Sequence, residues 1–165
     1  MATAKKQDAA KQLRVNEKKW SKELMSTGWT AIPNIIVEHQ KDLGLTPLDI
    51  TILLHLSTYW WTAETMPHPS KTTIATAIGC TPRAVQRRIA LMEGRGLIQR
   101  IERREKGAGT EGSKPNLYDF AGLIKAAKPF AAEKAKRIAT KVAVKQAKAG
   151  TKAGNVVKFT PKKDA

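Results

Sequence analysis

The sequence predicts a mainly α-helical protein with one small β-hairpin, built as a central domain with helical extensions at both ends. Three observations carry this. Between residues 46 and 94 apolar residues recur at helical spacing in three segments, each preceded by a helix-starting signature. Next, LIQRIERRE alternates apolar and charged residues as a strand does, and after the glycine-rich KGAGTEGSKP the run NLYDF supplies a second strand. Finally, residues 121–149 are rich in alanine and lysine, with few turn residues.

A chain of 165 residues accommodates one domain with appendages, or two very small domains. Its net charge of +16 favours a polyanionic partner, nucleic acid first and an anionic membrane surface second. The charge is unevenly spread. Residues 1–25 hold seven basic and three acidic side chains, residues 26–69 one and four, residues 70–120 ten and five, and residues 121–165 twelve and two. Segments this distinct suggest distinct tasks. The single cysteine, Cys80, excludes an intrachain disulfide and fits a reducing compartment. No apolar run approaches the roughly 20 residues of a membrane span, and the N-terminus lacks the apolar core of a secretory signal. A cytoplasmic protein with no membrane partner is expected.

Residues 1–26 form either a docked helix, with Leu13, Trp20 and Leu24 on one side, or a loose basic arm. Gly28 interrupts that pattern. WTAI then reads as extended, and a helix opens with Pro33 at its first position and runs to Gly44, with Ile32, Ile35, Ile36 and Leu43 in the core. The following helix begins TPLD: Thr46 caps it, Pro47 takes the first helical position, and Asp49 stands where a capping box needs it. It continues through DITILLHLSTYWW. Ile50, Leu53, Leu54, Leu56 and Trp60 or Trp61 give it so broad an apolar surface that it should be the buried scaffold. Tyr59, Trp60 and Trp61 have faces on which bases can stack, but their place on the most apolar helix favours core packing. AETMPHPS ends the helix.

Two short helices joined by a tight turn follow. Ser70 caps the first, Ile74 and Ile78 face inward, and Gly79 makes the turn, with Cys80 a small buried residue within it. Thr81 caps the second helix, 81–94, and Pro82 opens it. Val85, Ile89 and Met92 recur at i, i+4 and i+7, which leaves Arg83 and Arg87 on the opposite side with Gln86 at its edge. Arginine can pair bidentately with guanine and glutamine with adenine, so these three are the candidate base contacts. Ser70, Lys71, Thr72 and Thr81 stand at helix N-termini, which attract phosphate. The hairpin, residues 99–115, adds Arg100, Arg103, Arg104, Lys106 and Lys114 as candidate backbone or minor-groove contacts, with Arg100 alternatively directed to bulk water. Helix, helix, helix, strand, glycine-rich tip, strand is the order of a winged helix-turn-helix.

Beyond the hairpin, Pro129 should divide a short helix from a longer one. Ala131, Ala135, Ile138 and Val142 then share one face, the best candidate surface for a homodimer, with Leu13, Trp20 and Leu24 as a possible addition. Residues 150–165 read as a disordered basic tail making sequence-independent phosphate contacts. The expected division is an arm at 1–26, a DNA-binding domain at 27–125, a basic helix at 126–149 and the tail at 150–165.

The run PSKTTIATAIGCTPRAVQRRIALMEGRGLIQRI resembles the winged helix-turn-helix domains of bacterial plasmid, phage and integrative-element proteins, and TAIPNIIVEHQKDLGLTPLDITILLHLSTYWW resembles the segment preceding that domain in a common bacterial group. The resemblance covers residues 27–125. It implies double-stranded DNA binding through Arg83, Gln86, Arg87 and the basic wing. Transcription regulators and replication initiators both occur among such proteins, so a mobile-element regulator is expected first and a plasmid or phage initiator binding origin repeats second. A host replication or transcription protein is a further possible partner. An architectural protein of low specificity is a third reading, driven by the basic tail. His39, His55, His68 and Cys80 lack metal-ligand spacing, and neither a phosphate-binding glycine loop nor an apolar carboxylate pair is present. A non-enzymatic protein without metal or cofactor is therefore expected, bacterial, cytoplasmic and associated with the nucleoid.

Overall fold

The computed structural model describes residue 11 and residues 13–104 and 113–153. The wing tip with Lys106, the arm before residue 11 and the tail from 154 lie outside the described residues, as does the side chain of Arg104. The described elements are α1 (13–20), α2 (Lys22–Ser26), α3 (Asn34–Glu38), α4 (Pro47–Ser57), α5 (Lys71–Ile78), α6 (Pro82–Gly94), β1 (Gln99–Arg104), β2 (Ser113–Asp119) and α7 (Ala121–Ala153). The expected class is observed: mainly helical, with one antiparallel hairpin.

Helix α4 is the scaffold. The side chain of Thr46 accepts from the Asp49 backbone N–H while the Asp49 carboxylate accepts from the Thr46 N–H, closing the capping box. Ile52, Leu53 and Leu56 are fully buried and α5 and α6 pack on them. Ser70 and Thr81 cap α5 and α6 as the sequence indicates, and Gly79 adopts a left-handed φ of 69° that permits the tight joint. Val85, Ile89 and Met92 close the core from α6. The segment between α4 and α5 is more than a breaker. Pro67 and Pro69 are buried, and the Pro67 carbonyl accepts from the Tyr118 N–H at 3.0 Å, which holds this strap along β2.

In the wing, Gln99 faces Asp119, Arg100 faces Tyr118 and Ile101 faces Leu117. The register then shifts, so that Arg103 faces Lys114. The extra residue lies on β2 near Pro115, which lacks an N–H to donate and so belongs at a bulge.

Several expectations are corrected. Pro33 is the N-cap of α3, not its first helical residue, and the helix stops at Glu38, with residues 39–44 forming turns. Helix α4 ends at Ser57. The Thr-Tyr-Trp-Trp run after it combines β-branched and aromatic residues of modest helix propensity, and two prolines follow. Consequently Trp61 is 82% exposed and Trp60 only half-buried, its ring edge against Phe120. Leu54 is also exposed. Finally, Pro129 lies inside a continuous α7. A proline removes one backbone bond and crowds the preceding turn, yet tertiary contacts hold the helix on both sides of it. Ala127 is buried before it, while after it Phe130 stacks on His39 at 4.5 Å and Lys134 bonds Glu38 at 2.6 Å.

Helices α1 and α2 meet at Ser21, whose φ is 76°, a left-handed value rare outside glycine. Residues 13–20 are helical, but Leu13, Trp20 and Leu24 are exposed, so this is not the docked helix of the first reading.

Candidate nucleic-acid interface

The outward face of the α5–α6 unit has no acidic side chain near it in sequence. From Ser70 to Met92 there is no Asp or Glu, while Lys71, Arg83, Arg87 and Arg88 supply positive charge. Arg83, Gln86 and Arg87 are all exposed, on the side of α6 away from buried Val85, Ile89 and Met92. Among the described residues Arg83 and Arg87 make no hydrogen bond or ion pair, so their guanidinium donors face solvent. The hydroxyls of Ser70 and Thr81 are occupied as caps, accepting from Thr73 N at 3.0 Å and from Ala84 N at 3.2 Å. Their contribution is to fix the helix starts, where the remaining first-turn N–H groups have no acceptor within the helix. Thr72 is exposed beside them. Across the joint, Lys71 Nζ donates to Gln86 Oε1 at 3.1 Å, which brings two candidate residues from different helices together.

The wing residues divide. Arg100 is turned back onto Glu93: its backbone N–H donates to one carboxylate oxygen at 2.9 Å and its guanidinium lies 3.4 Å from the other. That is neither an open phosphate contact nor a side chain in bulk water. Arg103 donates from Nε to the Pro115 carbonyl at 2.9 Å, across the bulge. Lys114 is exposed near the end of the hairpin, and Arg104 pairs in the ladder with Ser113.

One residue of the arrangement escapes a reading by helix face alone. Arg88, next to Arg87, turns inward and is 15% exposed, whereas Asp49 of α4 is fully buried. Arg88 Nε donates to Asp49 Oδ1 at 2.8 Å and Nη2 donates to Oδ2, a two-pronged pair that also meets the Thr46 hydroxyl. Burial alone would raise the Asp49 pKa. The hydrogen bonds from Arg88 and Thr46 outweigh it and hold the carboxyl below its usual value. The pair locks the rotation of α6 about its own axis, and therefore the direction of Arg83, Gln86 and Arg87. A signal existed in the sequence: at 100° per residue Arg88 sits about 60° from Val85, at the edge of the buried face.

Residues 43–98 match the family described as helix-turn-helix domain. The segment is a helix-turn-helix domain. Its boundaries take in α4, α5 and α6 and stop just before the wing. Among solved structures, the chain is similar to the N-terminal domain of the DnaD protein from Geobacillus kaustophilus HTA426. The two are 18% identical with a TM-score of 0.50, over 72% of this chain and 93% of that one, a likeness of fold. No curated protein matches the chain. Within the matched segment α6 is the last of the three helices, and α7 lies beyond it. No helix among the described residues is long and apolar enough to cross a membrane.

Proposed function

We propose that this protein is a sequence-specific binder of double-stranded DNA that reads the major groove with α6 and steadies the complex with its wing. The observation that carries the reading is the exposed Arg83, Gln86 and Arg87 on the helix that the domain clamps through Val85, Ile89, Met92 and the Arg88–Asp49 pair. Such a helix is narrow enough for the groove, and its donors suit base edges there. Its role is binding and not catalysis, in the cytoplasm at the nucleoid, with transcription regulation of a mobile element as the biological task. A footprint over paired half-sites beside a promoter supports regulation, whereas protection of tandem repeats at an origin makes the protein an initiator.

Substituting Arg83 or Arg87 with alanine is expected to cost about 1–3 kcal/mol on the cognate site and to relax base preference at one position. Competition titrations on cognate and random duplexes check this. Equal losses on both would assign the two arginines to phosphates and remove the base-reading role.

The same reading includes a homodimer, since helix-turn-helix proteins commonly engage two half-sites. Ile138 and Val142 are about half exposed on the outer part of α7, and Ala131 and Ala135 share that exposure. Sedimentation equilibrium should show a dimer at tens of micromolar that Ile138→Glu dissociates. A monomer both free and on DNA would end this part of the proposal.

A further inference from the structure

The contact between Lys71 and Gln86 bears on which base the helix selects. Lys71 is the first residue of α5 and Gln86 the fifth of α6, and Lys71 Nζ lies 3.1 Å from Gln86 Oε1. An ammonium has three donors and no acceptor, so the amide atom it meets must be the oxygen. The amide nitrogen, with its two N–H donors, is thereby turned away from Lys71.

A glutamine with both ends available matches adenine, accepting from N6 and donating to N7. Here the accepting end already faces a cation. A base amine brought to the same oxygen would meet the ammonium, and like donors oppose each other. The pair instead offers the groove donors, an amide N–H and an ammonium N–H. In the major groove two adjacent acceptors, O6 and N7, belong to guanine. Arg83 and Arg87, exposed on the same helix, also carry donors only.

The geometry points to Lys71 as a specificity determinant: by holding the Gln86 oxygen it converts Gln86 from an adenine reader into half of a two-residue guanine reader. This moves Lys71 from the phosphate contacts expected of a helix N-terminus to a position beside the base edge. It rests on the reading of α6 as the groove-reading helix.

The test uses the full chain and two variants at exposed or half-exposed positions. Lys71→Met keeps the apolar stem and removes the charge, and Gln86→Ala removes the amide. Circular dichroism verifies that each retains its fold. Each protein selects from a randomised duplex library, and the selected base pair is then varied in competition titrations. The wild type is expected to select guanine at a position whose preference Gln86→Ala abolishes. Lys71→Met should move that same position toward adenine, changing the guanine-to-adenine ratio by about tenfold. If Lys71→Met keeps the guanine preference, and loses affinity alike on all sequences with a salt slope shallower by about one, Lys71 is a phosphate contact and the proposal is overturned. Adenine selected by the wild type would overturn it too. A wild type that selects no sequence would defeat the reading of α6 itself, a separate failure.

Discussion

Replacing Arg88 with methionine should destabilise the fold by about 3–5 kcal/mol, the usual consequence of leaving one member of a buried ion pair alone. The Asp49 carboxylate is fully buried and receives two of its bonds from Arg88. Without them it keeps only the bonds from the Thr46 N–H and hydroxyl, on a helix whose Ile50, Ile52 and Leu53 are buried as well. Urea denaturation of the two proteins at neutral pH measures the difference. A loss below about 1 kcal/mol would mean that water reaches Asp49 in the folded state and that the pair is structurally minor.

The pair also sets a pH dependence. Asp49 has a folded-state pKa below its ordinary value, so its contribution is fully present above the unfolded value, about 3.9. It is lost as pH falls through the depressed folded value. Wild-type stability should therefore decline below about pH 4 more steeply than that of Asp49→Asn, which binds no proton at this position. Identical acid limbs for the two proteins would assign acid sensitivity to other carboxylates.

The second large effect is expected at Gly122. This residue opens α7 against the turn that joins α6 to the wing, and a Cβ placed there would overlap the Gly96 carbonyl oxygen and crowd that of Leu97. The next residue, Leu123, donates its N–H to the Leu97 carbonyl at 2.6 Å, so α7 cannot back away without breaking a bond. In an open helix, glycine to alanine is stabilising by up to about 1 kcal/mol. Here Gly122→Ala should destabilise instead, by about 1–3 kcal/mol, because the obstacle is backbone and not a flexible side chain. Gly94→Ala is the control, since its Cβ would meet nothing within 4 Å. Thermal unfolding should lower the midpoint of the first variant and leave the second unchanged or raised. A Gly122→Ala protein as stable as the control would show that α7 is not seated on this turn.

Most of the central fold was legible because its signals are local. Thr46, Ser70 and Thr81 announce helix starts, Gly79 announces the turn, and Val85, Ile89 and Met92 mark the buried side of α6. Arg83, Gln86 and Arg87 followed from that periodicity, and the structure leaves all three exposed. What escaped depends on residues distant in sequence. Arg88 and Asp49 are 39 apart, Lys134 and Glu38 are 96 apart, and the Pro67 strap meets Tyr118 only after the wing has folded back. The same holds for Pro129, whose propensity argued for a break that contacts on both sides of it override. The exposure of Trp61 shows the reverse error. Extending the helical face past Ser57, where the helix ends, places in the core an apolar residue that the structure leaves exposed.

The continuity of α7 gives the molecule a mechanical property. At 1.5 Å per residue, the stretch from Lys134 to Ala153 is about 28 Å long, and past Lys134 the side chains described, through Gln146, are all exposed. It is a rigid lever whose fulcrum lies at the contacts with α3 and whose short end is pinned by Gly122 to the hinge between α6 and the wing. A tilt of about 10° at the fulcrum sweeps the far end through roughly 5 Å, and the arm of about 18 Å from Lys134 back to Gly122 carries roughly 3 Å of that motion to the hinge. Whatever grips the outer turns of α7 thus gains mechanical advantage over the angle between α6 and the wing.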